Sequence, residues 1–150
     1  PEFASLADGH VVRVSGAHGS DYGFLSDDVV DARADDLRFK GTAATVSIRR
    51  STMRISLAAK GGVQFRFQQG PDTDGDYELA ATGPVGLQIS GTEAVVDLPP
   101  GHGGTAVRLR SPDDWKLSVP VAGLQIIEEE NGVRLHADAG VQQAVLQRGR

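Results

Sequence analysis

The sequence predicts an all-β chain, an antiparallel β-sandwich with a β-barrel as the alternative. Three observations carry this. Ala44-Thr45-Val46-Ser47-Ile48-Arg49 and Met53-Arg54-Ile55-Ser56-Leu57 alternate between apolar and polar residues, which sends one side chain to a core and the next to water. No stretch has the spacing of an amphipathic helix. The 19 glycines and 7 prolines fall mostly between the alternating stretches, where turns need a positive or fixed φ.

Taken in order, the expected strands are His10–Ser15, Tyr22–Leu25, Val29–Ala32 and Leu37–Phe39. Val29-Val30 favours strand over a helical turn in Asp27–Asp36. Ala44–Arg49 and Met53–Ala58 form a hairpin through Arg50-Ser51-Thr52. Val63–Gln68 and Tyr77–Ala81 flank the acidic loop Gly70–Asp76. Val85–Ser90 and Ala94–Leu98 pair through Gly91-Thr92-Glu93. Thr105–Arg110, Trp115–Val119, Leu124–Glu128, Val133–Ala137 and Val141–Gln147 complete the set. Glu130-Asn131-Gly132 carries Asn-Gly, suited to a type I′ hairpin turn. Such hairpins favour antiparallel pairing over the coils of a β-helix. The apolar phase assigns Ile48, Ile55, Leu57, Phe65, Phe67, Leu87, Ile89, Val107, Leu109, Leu117 and Leu135 to the core.

The 150 residues suffice for one domain with a sizeable core and no staples. Cysteine is absent, so no disulfide marks a compartment. The formal net charge of −5 argues against nucleic acid as a partner, since phosphate neutralisation needs a basic patch. Arg49-Arg50 with Arg54 is the nearest thing to one, and alternation splits these between faces; an anionic ligand is favoured only if Arg49, Arg50, Arg54 and Lys60 converge. No apolar run reaches the roughly 20 residues of a membrane helix, so no membrane partner is expected. Pro1-Glu2-Phe3 resembles a vector-encoded remnant, and 4–150 is expected to be one domain of a larger protein.

Asp72-Thr73-Asp74-Gly75-Asp76-Tyr77-Glu78 is the sharpest local signal. Oxygens at alternate positions of a glycine-containing loop wrap hard cations, which makes Asp72, Asp74, Asp76 and Glu78 candidate calcium ligands. The pattern is incomplete: Tyr77 stands at the sixth position and Gly83 at the twelfth. A solvated acidic turn explains the same residues. His18, Asp21 and Tyr22 sit within five residues. They lack the converging geometry of a hydrolytic triad and any Gly-x-Ser-x-Gly elbow. They are candidate ligand contacts on a loop. Asp114 and Trp115 form a second candidate, because an indole stacks on apolar ring faces and a carboxylate accepts from hydroxyls. Alternation places Trp115 with Leu117 and Val119 on one face, which favours the core instead. The pairs Asp27-Asp28, Asp35-Asp36 and Asp113-Asp114 read as turns, since neighbouring aspartates point apart. No catalytic residue is assigned.

His18-Gly-Ser-Asp-Tyr-Gly-Phe-Leu-Ser26, Leu37-Arg-Phe-Lys-Gly-Thr-Ala-Ala44 and Met53-Arg-Ile-Ser-Leu57 resemble β-sandwich domains appended to bacterial polysaccharide-degrading enzymes, with heparinase II/III-like lyases the nearest named group. The resemblance covers about a third of the chain and brings over no catalytic residue. It implies a secreted or periplasmic accessory domain that binds a polysaccharide or supports the enzyme that cuts it. The rival expectation is a structural or protein-interaction domain docked to its neighbour.

Overall fold

The computed structural model describes residues 2–49, 54–67 and 76–148. The chain is all-β and antiparallel. Among the described residues fourteen strands join one hydrogen-bonded sheet, and the helical content is a single 3₁₀ turn, Ala7–Gly9. Among the described residues no helix is long and apolar enough to cross a membrane.

The strands are β1 (Glu2–Leu6), β2 (Val11–Gly16), β3 (Gly19–Ala34), β4 (Leu37–Arg49), β5 (Arg54–Ala59), β6 (Val63–Phe67) and β7 (Tyr77–Ala81). They continue as β8 (Val85–Ser90), β9 (Glu93–Asp97), β10 (Thr105–Arg110), β11 (Trp115–Leu117), β12 (Leu124–Glu129), β13 (Gly132–Ala137) and β14 (Gln143–Arg148). The main path runs β11-β14-β9-β8-β5-β4-β6-β7-β10-β13-β12, with β3, β2 and β1 added in turn on the other side of β4.

The fold line lies in β4. Its first part, Leu37–Lys40, pairs with β6, and its last part, Ala44–Arg49, pairs with β5. Gly41 sits at the changeover, where an added Cβ would lie 2.9 Å from the Phe39 ring and 3.2 Å from the Gly62 carbonyl oxygen. No other residue fits there without a shift. On the partner strand β3 the register shifts between Leu25 and Val30, at the same level. A bulge of this kind bends a strand and increases its twist. The long β3–β4 hairpin therefore belongs to two walls. The first wall holds β5, β8, β9, β14 and β11; the second holds β6, β7, β10, β13 and β12. At the opposite side β11 packs beside β12 and β13 without a hydrogen-bonded ladder. The two layers expected of a sandwich are thus halves of one sheet, which nearly closes as the barrel alternative would.

One apolar cluster fills the space between the walls. Phe24 from the first wall meets Phe39 from the second, with ring centroids 4.6 Å apart. Of the expected core residues all are buried except Leu117, which is half-buried because β11 is a short terminal strand. Several expected boundaries change. Tyr22–Leu25 and Val29–Ala32 are one bent strand, as are Leu37–Phe39 and Ala44–Arg49. Glu2 and Phe3, expected to stand outside the domain, pair in β1 with Ser15 and Val14. The β12–β13 turn is formed by Glu130 and Asn131, not by Asn131 and Gly132. Asn131 takes a φ of 57°, while Gly132 already pairs with Glu129 and Arg110. A Cβ on Gly132 would fall 2.7 Å from the Leu109 carbonyl oxygen, so glycine here serves close strand approach rather than the turn.

Candidate anion-binding groove

The expected ligand contacts do not come together. The 18–22 segment is a hairpin tip and a strand, so its neighbouring side chains point to opposite faces. His18 is exposed at the β2–β3 turn. Asp21 faces outward and accepts from Ser47 and Arg49. Those bonds, that of Arg49 foremost, hold its carboxyl below the ordinary aspartate value. Tyr22 faces inward and is buried. Its hydroxyl donates to Asp35 Oδ2 at 2.7 Å, and Arg13 grips the same carboxylate with contacts of 2.8 and 2.9 Å. Burial first, and the Asp35 carboxylate second, push the Tyr22 hydroxyl up to about 12.

Trp115 is only 1% exposed. Its indole N–H donates to Ser111 Oγ at 2.7 Å, and its ring has no open face for a sugar. This corrects the platform reading in favour of the core position that alternation indicates. Asp114 accepts the backbone N–H of Asn131 at 2.7 Å and so holds the β12–β13 turn. In the strand order β11 and β3 lie far apart, so the two candidate pairs share no site.

Of the candidate calcium ligands, Asp72 and Asp74 lie outside the described residues. Asp76 is buried and bound by the Arg66 guanidinium. Glu78 lies 3.6 Å from Arg66 Nε. One guanidinium already engages both carboxylates, and no cluster able to hold a metal occurs among the described residues. The Arg49 group does not converge either. Arg49 and Arg54 are cross-strand neighbours on the first wall, Arg50 lies outside the described residues, and Lys60 is about 20 Å along β5 at the strand rise of roughly 3.3 Å per residue.

The structure instead assembles cations on the outward face of the second wall. The cross-strand register sets two parallel rows. One runs Lys40, Gln64, Ala80, Arg108, Arg134 across β4, β6, β7, β10 and β13. The other runs Arg38, Arg66, Glu78, Arg110 across β4, β6, β7 and β10. Two open depressions of about 540 and 300 Å³ follow these rows and share Lys40, Gln64, Ala80 and Arg108. Ala80 makes a low floor, and the longer side chains of neighbouring strands rise on either side.

Asp31, Asp76, Glu78 and Glu129 compensate only part of this charge. Arg38 binds Asp31 through two contacts of 2.7 and 3.0 Å, which holds the Asp31 carboxyl below its ordinary value. Glu129 serves two cations at once, Arg134 at 2.9 Å and Arg108 at 3.6 Å. Arg110 has no hydrogen bond or ion pair among the described residues, and Lys40 lies opposite Asp31 with no ion pair to it. Arg38 and Arg66 stand directly opposite each other, as do Arg108 and Arg134. Like charges in directly opposed positions destabilise a sheet. Glu129, shared by Arg108 and Arg134, and Asp31, Asp76 and Glu78, which bind Arg38 and Arg66, offset that repulsion.

Sequence reasoning missed this face because its members span residues 38 to 134. The available signal was a basic or polar pair at alternate positions, repeated on separate strands: Arg38/Lys40, Gln64/Arg66, Arg108/Arg110 and Arg134/His136. Compared with family models, curated proteins and solved structures, the chain matches none.

Proposed function

We propose that this chain is a non-catalytic accessory domain that binds a polysaccharide along the groove of the second wall, in support of a carbohydrate-active enzyme. The observation that carries this reading is the groove itself. It is open, spans several strands and mixes hydrogen-bonding side chains, Lys40, Gln64, Arg66, Arg108 and Arg134, with apolar lining at Val29, Ala80 and Ala106. That shape suits a chain more than a small molecule, which would be enclosed. The carboxylates beside the rows favour binding over bond cleavage. Asp76 and Glu78 are engaged by Arg66, and Glu129 by Arg134 and Arg108. A general acid or base needs a group free to exchange its proton with the substrate.

A glycan microarray with neutral and acidic polysaccharides tests the proposal. Binding to at least one, lost when Ala80→Trp fills the floor, is the expected result. Absence of binding to every glycan overturns it. A second reading, a protein-interaction domain, has its own support in exposed Phe3, Val12 and Leu25, which point outward from β1, β2 and β3. Persistent dimerisation or docking lost on Leu25→Ser favours that reading.

A further inference from the structure

We infer that the groove takes an acidic polysaccharide laid across the strands and reads it by charge rather than by ring stacking. This rests on the proposal that the groove binds a glycan, and it specifies which kind. The first argument is aromatic placement. Neutral sugars are commonly held by aromatic faces, and here Trp115, both tyrosines and every phenylalanine except Phe3 are buried. Phe3 lies on β1, outside the groove. The second argument is charge segregation. The chain carries −5 overall, yet Arg38, Lys40, Arg66, Arg108, Arg110 and Arg134 gather on one face. A locally positive face on a negative molecule concentrates an anionic ligand at that face alone. The third is incomplete compensation. Asp31, Asp76, Glu78 and Glu129 already bind Arg38, Arg66, Arg108 and Arg134, while Lys40 and Arg110, one on each bank, have no ion pair among the described residues and keep their charge for an anionic ligand.

The geometry also gives a direction. Lys40 and Arg38 on β4 face Arg108 and Arg110 on β10, with β6 and β7 between. At about 4.8 Å per strand the two groups are roughly 14 Å apart. A single sugar ring does not bridge them; an extended chain with carboxylate or sulfate groups at intervals does. It passes over Gln64 and Ala80 and presents its acidic groups to both banks. Nucleic acid is the other polyanion to weigh. The groove offers no exposed Phe, Tyr or Trp face for base stacking, and the net charge of −5 repels a long phosphate backbone beyond the groove.

The test uses titration calorimetry on the whole chain with dextran, dextran sulfate, polygalacturonate and single-stranded DNA. Dextran and dextran sulfate differ only in charge. Binding to dextran sulfate or polygalacturonate, weaker as salt rises, with none to dextran, is the expected result. Lys40→Gln and Arg110→Gln remove a charge from side chains that have no ion pair among the described residues, and they set no like charge opposite Asp31 or Glu78, so an unchanged thermal midpoint is expected. Each is expected to weaken binding about tenfold, while Arg54→Glu on the first wall leaves it unchanged. Equal, salt-insensitive binding to dextran overturns the acidic reading and leaves the glycan reading intact. So does acidic-glycan binding that ignores both substitutions. DNA bound more tightly than either acidic glycan overturns the choice of ligand class. Failure to bind any of the probes, with a blank microarray, overturns both.

Discussion

The two walls share one interior and differ on the outside. Inward positions follow the same rule throughout: Ile55, Leu57, Leu87 and Ile89 on the first wall, Phe65, Leu79, Val107 and Leu109 on the second. Outward positions diverge. Around β5, β8 and β9 small or uncharged Ser56, Ala58, Gly86, Gln88 and Val95 are joined by Arg54, Glu93 and Asp97, charges of both signs. On β4, β6 and β10 the charged outward positions facing the groove, Arg38, Lys40, Arg66, Arg108 and Arg110, are all cations. Folding constrains only the inward phase of a strand. The outward phase is free to vary, so a wall whose outward phase concentrates one charge is the place to look for binding.

The comparison has its largest test in the shared interior. Phe67→Ala in the second wall is expected to cost about 3–5 kcal/mol, and Leu57→Ala in the first about 2–5 kcal/mol. Both side chains are buried. Chemical denaturation followed by two probes is expected to show one transition in each variant. A change within about half a kcal/mol places the residue outside the core, and separate transitions would show that the walls fold independently.

A smaller effect is expected where the walls meet. Ser111, between β10 and β11, accepts from the Trp115 indole and from the Asp113 N–H, and donates to the Asp113 carbonyl. Ser111→Ala leaves a buried indole donor without a partner, at a cost of about 1–3 kcal/mol. Denaturation midpoints measure it. An unchanged midpoint means that the seam contributes nothing to the joining of the walls.

The smallest effect is read through pH. Tyr22 on the first-wall part of β3 reaches Asp35 at the tip of the β3–β4 hairpin. Its hydroxyl is raised from 10.0 to about 12, so folding favours the neutral phenol. The stability this contributes is complete below about pH 10 and is lost as pH rises toward 12. Tyr77 is also raised by burial and adds to the same loss. Tyr22→Phe is expected to flatten the decline between pH 10 and 12, and phenolate absorbance should show one late-titrating tyrosine fewer. An equal slope in the variant would remove Tyr22 from the contact between the walls.

The fold class was legible because alternation is a local property. Residues 85–98 show this best: two alternating runs and a short turn, found as β8 and β9. Where the expectation erred, tertiary structure bridged a local break. Ser26-Asp27-Asp28 and Lys40-Gly41-Thr42 read as loops, and they are bends in strands whose ladder shifts register there and resumes beyond. Asp21 and Tyr22 read as neighbours at one site, but a strand turns them to opposite faces. The groove was illegible for the opposite reason. Its cations belong to four strands far apart in sequence, and only the cross-strand register, which composition does not encode, brings Arg38 against Arg66 and Arg108 against Arg134.

One feature of the topology bears on how the chain is made. β14 is inserted between β9 and β11. During synthesis from the N-terminus, β9 and β11 therefore leave the ribosome before the strand that joins them exists. Until residues 143–148 emerge, both have open edges, and open edges recruit other chains. A nascent or shortened chain lacking β14 is thus an aggregation hazard even though its arginine groove is complete, and the integrity of the face opposite the groove depends on the strand translated last among those described.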